Sequence, residues 1–113
     1  MVRIEKPWGY ENILFNVGKY VIKELGIREG CRISLQYHEI KHETWIIQSG
    51  EGWVRIDEKL SRYGFGDSDI FDIPPGTIHR VSSDKGLTRI IEVSTPELDD
   101  VKRLEDDYGR VTT

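Results

Sequence analysis

The sequence predicts an all-β domain, a sandwich or barrel of about seven short strands. Glycines recur along the middle of the chain, and runs rich in Val, Ile, Trp and Tyr lie between them. Short β-branched and aromatic runs that are separated by turn residues are typical of antiparallel β structure. No repeat, low-complexity segment or linker interrupts this pattern.

The strands are expected where β-branched and aromatic residues cluster. In chain order, the predicted strands are 20–25, 32–37, 43–49, 52–56, 69–73, 79–82 and 87–93. The segment after them differs, because Leu98, Val101 and Leu104 recur at helical spacing. Thr95 is a suitable N-cap, with Pro96 at the first helical position. One short C-terminal helix is therefore expected.

Length and composition fit a single domain over residues 1–113. Charged residues make up 32% of the chain, and no apolar run approaches the roughly 18 residues needed to span a bilayer, so no membrane partner is expected. The net charge is −4 with mixed signs and no basic block, which argues against nucleic acid as a partner. Cys31 is the single cysteine, and the N-terminus lacks a signal-peptide core, so a cytoplasmic location is expected.

The segment 32–38 has one polar and one apolar face if it forms a regular strand. Its polar positions are Arg32, Ser34, Gln36 and His38, and its apolar positions are Ile33, Leu35 and Tyr37. The polar face must meet solvent or line a cavity. The apolar face needs cover from a second sheet or a second subunit.

The next strand places a carboxylate opposite this polar face. By the same alternation, one face carries Lys41, Glu43, Trp45 and Ile47. If Glu43 meets His38 across the turn, Lys41 lies at the rim of a pocket. Trp45 and Ile47 then form the apolar floor of that pocket, and His42 points away.

A second histidine follows a stiff turn, because Pro74, Pro75 and Gly76 precede the strand that begins near His79. Two imidazoles, one carboxylate and the amide oxygen of Gln36 form a ligand set that suits a divalent metal and leaves positions open for water or substrate. Three histidines in a domain of this size are equally compatible with surface or hydrogen-bonded core positions. The spacing of the residues distinguishes these interpretations.

The spacing resembles the two motifs of the cupin family. Gly30, five residues, Gln36-Tyr37-His38, four residues, Glu43, six residues and Gly50 fit the first motif, and Pro74-x-Gly76-x-x-His79 fits the second. Gln36 departs from the first motif, which usually has His there, but phosphomannose isomerases use Gln-x-His at this place. The chain resembles the C-terminal domain of bifunctional mannose-6-phosphate isomerase/GDP-mannose pyrophosphorylase enzymes from end to end. Segments that carry this resemblance are 6–11, 35–38, 43–45, 73–80, 91–93 and 103–110.

The resemblance implies a double-stranded β-helix, the cupin jelly roll, with one divalent ion. The implied ligands are Gln36, His38, Glu43 and His79. Zinc is the expected ion, with Mn, Fe, Co and Ni as alternatives that a mixed N/O site also accepts. Small cupins usually pair through a sheet, so a homodimer is expected.

The activity implied by the resemblance is aldose–ketose isomerisation of a sugar phosphate, in which the metal stabilises charge on the two oxygens of an enediolate. In this hypothesis Lys41 or Glu43 moves protons, although Lys41 is equally compatible with an ordinary solvated lysine. The expected substrate contacts are Arg32, Arg80 or Arg89 to the phosphate, a hydroxyl contact from Ser34, and Trp45 as a floor for the sugar. Strict alternation places Arg80 on the face opposite His79, so either a bulge turns Arg80 inward or it forms a salt bridge or a subunit contact.

Two other functions remain compatible with the sequence. One is a non-catalytic module that binds a sugar or nucleotide sugar through a metal, or a partner subunit of a nucleotidyltransferase. The other is a cupin dioxygenase, which the Gln36 substitution disfavours because iron–oxygen cupins commonly use three histidines.

Overall fold

Nine β-strands form the part of the chain that the structure, a computed structural model, describes, namely residues 1–65 and 69–112. The strands are β1 (Val2–Lys6), β2 (Gly9–Asn16), β3 (Val21–Ile27), β4 (Leu35–Tyr37), β5 (Glu43–Ile56), β6 (Lys59–Tyr63), β7 (Ile70–Ile73), β8 (His79–Ser94) and β9 (Lys102–Glu105). The predicted all-β class is confirmed. No helix in the described ranges is long and apolar enough to cross a membrane.

Two long strands, β5 and β8, form the centre of the sheet. They pair antiparallel from Glu43 opposite Ser94 to Ile56 opposite His79. The register shifts between Ile47 and Gly52, and Gly50 has a φ of 95°. Bulges of this kind bend a sheet sharply. The glycines that separate the predicted strands 43–49 and 52–56 therefore mark a bend within one strand, and strands 79–82 and 87–93 join in the same way.

The remaining strands extend the sheet on both sides, and every pairing is antiparallel. β8 also pairs with β3 and β4, β3 continues through β2 to β1, and β5 carries β6 and β7. The alternate residues of β3 that face inward are all buried, and they include Lys23 among Val21, Leu25 and Ile27. The curled sheet therefore encloses an apolar core that carries charged side chains on one wall.

The polar and apolar faces expected for 32–38 are only partly formed. Regular strand covers Leu35–Tyr37 alone, and the register shifts between Leu35 and Gln36. Ile33, Ser34 and Leu35 are all buried within the chain, at 5%, 1% and 5% exposure. The apolar residues Ile33 and Leu35 therefore need no second subunit to cover them. The homodimer stays a prediction, and the apolar face of segment 32–38 no longer supports it.

The predicted C-terminal helix is wrong. Residues 95–101 form turns, and β9 pairs antiparallel with β4, placing Arg103 opposite Gln36 and Lys102 opposite Tyr37. An isolated helix of about ten residues is marginal in water. The open edge of β4 instead offers backbone hydrogen bonds that this segment satisfies. The chain end thereby becomes part of the sheet, next to β4, which His38 directly follows.

Gly52 lies where three strands come close together, and we expect Gly52→Ala to destabilise the fold. A Cβ atom at this position would overlap the carbonyl oxygen of Ser82 and lie 2.7 Å from the Tyr63 hydroxyl. Overpacking of this kind should lower the free energy of unfolding by about 3 kcal/mol. Urea denaturation measures the loss. Gly86→Ala is the control. Gly86 has a φ of 71° and open space around it, so alanine there should lower the free energy of unfolding by only about 1 kcal/mol.

Candidate metal centre

Three buried donor groups converge at one end of the paired long strands. His38 directly follows β4, Glu43 is the first residue of β5, and His79 is the first residue of β8. Oε1 of Glu43 lies 3.3 Å from Nε2 of His38 and 3.1 Å from Nε2 of His79. All three donor atoms lie within 4.8 Å of one another, and no side chain of the three is more than 3% exposed. The structure therefore brings together three of the four residues that the sequence predicts as metal ligands.

The imidazole rings are oriented for binding through Nε2. Nδ1 of His79 donates to the carbonyl oxygen of Thr77 at 2.8 Å, and Nδ1 of His38 donates to the carbonyl oxygen of Asp100. A neutral imidazole that donates from Nδ1 has only a lone pair at Nε2. Both lone pairs then face the same carboxylate oxygen, an arrangement that a cation stabilises. This donor set fits a divalent metal.

Gln36 lies beside these three ligands without directing its oxygen at them. Its Nε2 is 3.5 Å from Nε2 of His79, and its Oε1 accepts a hydrogen bond of 2.6 Å from the Ser34 hydroxyl. A half-turn of the amide would exchange the two atoms, direct the oxygen at the histidines, and leave the amide nitrogen to donate to Ser34. Gln36 as a fourth ligand stays a prediction.

Lys41 is buried against two carboxylates, so it lies in the cavity wall rather than at the predicted pocket rim, and the alternative of an ordinary solvated lysine is wrong. Its Nζ lies 3.2 Å from Oε2 of Glu43 and 3.6 Å from Oε2 of Glu92. Burial lowers the pKa of Lys41, but the charges of Glu92 and Glu43 outweigh it and raise the pKa overall. Burial also acts to raise the pKa of Glu43, but its close contacts with both histidines and the charge of Lys41 lower it well below the ordinary value.

Glu92 is a site residue that the sequence reasoning missed. It is fully enclosed on β8, and burial, followed by the charge of Glu43, raises its pKa to about 8. The available signal was alternation, because Thr88, Ile90 and Glu92 occupy the same inward-facing positions of one strand. A glutamate in such a series indicates a polar interior.

A second buried ion pair continues this charged wall. Nζ of Lys23 lies 3.0 Å from Oε1 of Glu11, and Lys6 approaches the other oxygen of Glu11 at 4.0 Å. Lys23 is opposite Glu92 in the β3–β8 register. This juxtaposition depends on the pairing of distant strands, so local spacing in the sequence contained no signal for it.

These groups line one cavity of about 100 Å³. Its lining comprises Gln36, His38, Lys41, Glu92, the charged residues Lys6, Glu11, Lys23, Arg103 and Arg110, and the apolar residues Trp8, Leu25, Ile33, Trp45, Leu98 and Val101. Trp45 packs edge-on against the His79 ring, with the ring centroids 5.5 Å apart, and so forms the predicted floor. Ile47 packs against the core and is not part of the lining.

The three arginines expected to bind phosphate lie away from this cavity. Arg32 forms an exposed ion pair with Asp107 at 2.7 Å, and Arg89 forms one with Glu24 at 2.6 Å. Arg80 donates from Nε to the carbonyl oxygen of Ile33 and lines a separate cavity together with Arg32. Arg80 lies on the face opposite His79, as alternation requires.

Two smaller expectations can also be located. Ser34 is buried and donates to Gln36, but it is not part of the cavity lining. His42 points away from the metal ligands, as expected, because its Nε2 contacts Asp72 at 2.7 Å on the surface.

A curled antiparallel sheet with histidine and glutamate ligands at the ends of its strands defines the cupin class of protein. Solved structures have the same fold: KdgF from Halomonas sp. matches with a TM-score of 0.78 at 16% identity over 88% of this chain and 89% of its own. CapF from Staphylococcus aureus, a capsular polysaccharide assembling protein, matches with a TM-score of 0.77 at 17% identity over 92% of this chain and 32% of its own.

Within that class, the chain belongs to the mannose-6-phosphate isomerase C-terminal family, whose model matches residues 2–106. The alginate biosynthesis protein AlgA of Pseudomonas aeruginosa is 32% identical over 95% of this chain and 23% of its own length. The mannose-1-phosphate guanylyltransferase ManC of Salmonella typhimurium is 30% identical over 96% of this chain and 23% of its own length. The chain therefore spans about a quarter of these relatives.

Proposed function

We propose that the chain is a metal-dependent aldose–ketose isomerase acting on a sugar phosphate of the mannose 6-phosphate type. The observation that carries the proposal is the position of Lys41. Its Nζ lies 3.2 Å from the carboxylate of Glu43, in the wall of the cavity that also contains His38. Family membership supports the substrate class.

Isomerisation moves a proton between neighbouring carbons and places negative charge on the two attached oxygens in turn. A divalent ion held by His38, Glu43 and His79, with Gln36 as a further donor, would supply electrostatic stabilisation of that charge. As the free amine, Lys41 would take the proton from one carbon, and as the ammonium it would return that proton to the neighbouring carbon. Glu92 lies 3.6 Å from its Nζ. One oxygen of Glu43 faces both imidazoles and the other faces Lys41, so we assign Glu43 to the metal and proton movement to Lys41.

The remaining cations of the cavity support an anionic substrate. Lys6, Arg103 and Arg110 line the same cavity as His38, whereas Arg32, Arg80 and Arg89 do not. A volume of about 100 Å³ holds about three water molecules, so it accepts only the reacting end of a sugar phosphate. We therefore place the phosphate at the half-exposed mouth, beside Lys6 and Arg103.

Incubation of the metal-free protein with mannose 6-phosphate and single divalent metals tests the proposal. We expect the ketose phosphate to form with at least one of Zn, Mn, Co, Ni or ferrous iron, and to stop when a chelator is added. Equal turnover by the chelated protein would contradict a metal-dependent reaction. Lack of product with every metal would contradict the isomerase assignment itself.

One alternative function is supported by the relatives. Two of them are named as mannose-1-phosphate guanylyltransferases, and the chain covers 23% of each. A metal-dependent module that binds a sugar or nucleotide sugar, or that serves a transferase as a partner, is therefore the second candidate. Calorimetric binding of mannose 6-phosphate or GDP-mannose to the metal-loaded protein, without turnover, distinguishes this candidate from the isomerase.

A further inference from the structure

The turn between β4 and β5 carries two residues of the metal centre, His38 and Lys41, and Asp100 of the C-terminal segment lies against it. The carboxylate of Asp100 accepts hydrogen bonds from three consecutive backbone amides. The distances are 3.1 Å from Glu39, 2.7 Å from Ile40 and 2.9 Å from Lys41.

Asp100 also contacts the candidate metal ligand His38 directly. The backbone carbonyl of Asp100 accepts the Nδ1 proton of His38, so the ring and the turn that follows it are held by one residue. On the other side, the amide of Gly76 donates to the carbonyl oxygen of His38 at 2.7 Å. The backbone of His38 is thus anchored by the loop that leads to His79, and the turn after it by Asp100.

We propose that Asp100 is a positioning residue of the metal centre: its carboxylate fixes the 38–41 turn so that His38 and Lys41 both face Glu43. The proposal rests on the metal centre and is independent of the reaction that the protein catalyses. A carboxylate supplies enough acceptor sites for all three amides, whereas an amide side chain has only one oxygen.

A purely structural cap would stabilise the fold without changing the metal. The position of Asp100 argues for more, because its carboxylate accepts hydrogen bonds from the backbone amide of Lys41 itself and from that of Glu39, the residue next to His38. Its segment also borders the site, since Leu98 and Val101 line the cavity. Residues that orient a ligand from behind typically contribute tenfold to a hundredfold to metal affinity.

The test measures Co²⁺ binding to the full chain by competition with a chromophoric chelator, together with the visible spectrum of the bound ion. We expect Asp100→Ala to weaken Co²⁺ binding by about 10- to 100-fold and to alter the spectrum. Asp100→Asn should lie between the wild type and Asp100→Ala, because its single oxygen retains only part of the set of hydrogen bonds. Asp99→Ala is the matched control, since Asp99 is the exposed neighbouring aspartate and should match the wild type.

Thermal unfolding of the metal-free variants separates stability from positioning. Lower stability in Asp100→Asn with wild-type Co²⁺ affinity and spectrum would overturn the proposal, and so would a wild-type protein that binds no Co²⁺. This test uses no substrate, so its outcome is independent of the isomerase assay. A protein without isomerase activity can still show the expected Co²⁺ binding, and an active isomerase can still fail to show the expected effect of Asp100→Ala.

Discussion

His79→Ala is expected to lose bound metal and the proposed isomerase activity together. The His79 side chain is fully buried, its Nδ1 is used by Thr77, and its Nε2 faces Oε1 of Glu43 at 3.1 Å. Alanine removes one of the three converging donors, so metal affinity should fall by more than about 100-fold, beyond the usual effect of a residue that only orients a ligand. Elemental analysis after dialysis measures retention of the metal, and the mannose 6-phosphate assay measures activity.

His42→Ala is the matched control for this substitution. His42 is the third histidine of the chain and is exposed, and its ring contacts only Asp72 among the hydrogen-bonding partners found for it. It should retain both the metal and the activity. A stoichiometric ion in purified His79→Ala, or loss of the ion in His42→Ala, would contradict the assigned ligand set.

His79→Ala should also reduce stability, and this effect must be separated from ligand loss. The ring packs edge-on against Trp45 at 5.5 Å between centroids, so alanine leaves a cavity beside the core. Large-to-small substitutions of this kind cost about 2–5 kcal/mol. His79→Gln retains more of the volume, and we expect it to fold more stably than His79→Ala while still losing most of the metal affinity.

The three converging residues are predicted from motifs that resemble those of the cupin family. Local geometry agrees with those motifs, because His38 and Glu43 flank one short turn and Pro74 to Gly76 precede His79 at the start of a strand. Strand alternation failed for Arg32, because the chain is irregular between Arg32 and Gln36 and the side chain turns outward to Asp107. Alternation is informative only as far as the strand is regular.

The charged wall and the C-terminal strand could not be predicted in this way. Lys23 and Glu92 are opposite each other because β3 pairs with β8, and Glu11 on β2 forms an ion pair with Lys23, so this arrangement depends on long-range register. The helical spacing of Leu98, Val101 and Leu104 is real, but pairing of β9 with β4 outweighs the weak propensity of a short helix. Tertiary hydrogen bonding decides the structure of this segment.

Lys41→Met should separate catalysis from metal binding. Methionine retains much of the side-chain length and volume but removes the ammonium that lies 3.2 Å from Glu43. If Lys41 moves the proton, kcat should fall by about 100-fold or more, the usual contribution of general acid–base catalysis. The metal content should stay near that of the wild type, because Lys41 supplies no ligand. Steady-state kinetics with mannose 6-phosphate and elemental analysis of the same sample measure both quantities.

Lys23→Met is the matched control, since it removes a second buried ammonium from the same wall. Lys23 is 5% exposed, as is Lys41, and its partner is Glu11 rather than Glu43. Both variants leave a buried carboxylate without its cation, so both should lose stability, but Lys23→Met should keep kcat within about tenfold of the wild type. Equal losses of kcat in the two variants would show that Lys41 has a structural role in the cavity wall and no specific role in proton transfer. The opposite outcome is a metal-loaded Lys41→Met protein that still binds the sugar phosphate but no longer converts it, while Lys23→Met stays active. That result would identify the Lys41 ammonium as the feature that makes this cupin an isomerase and not a sugar-binding module.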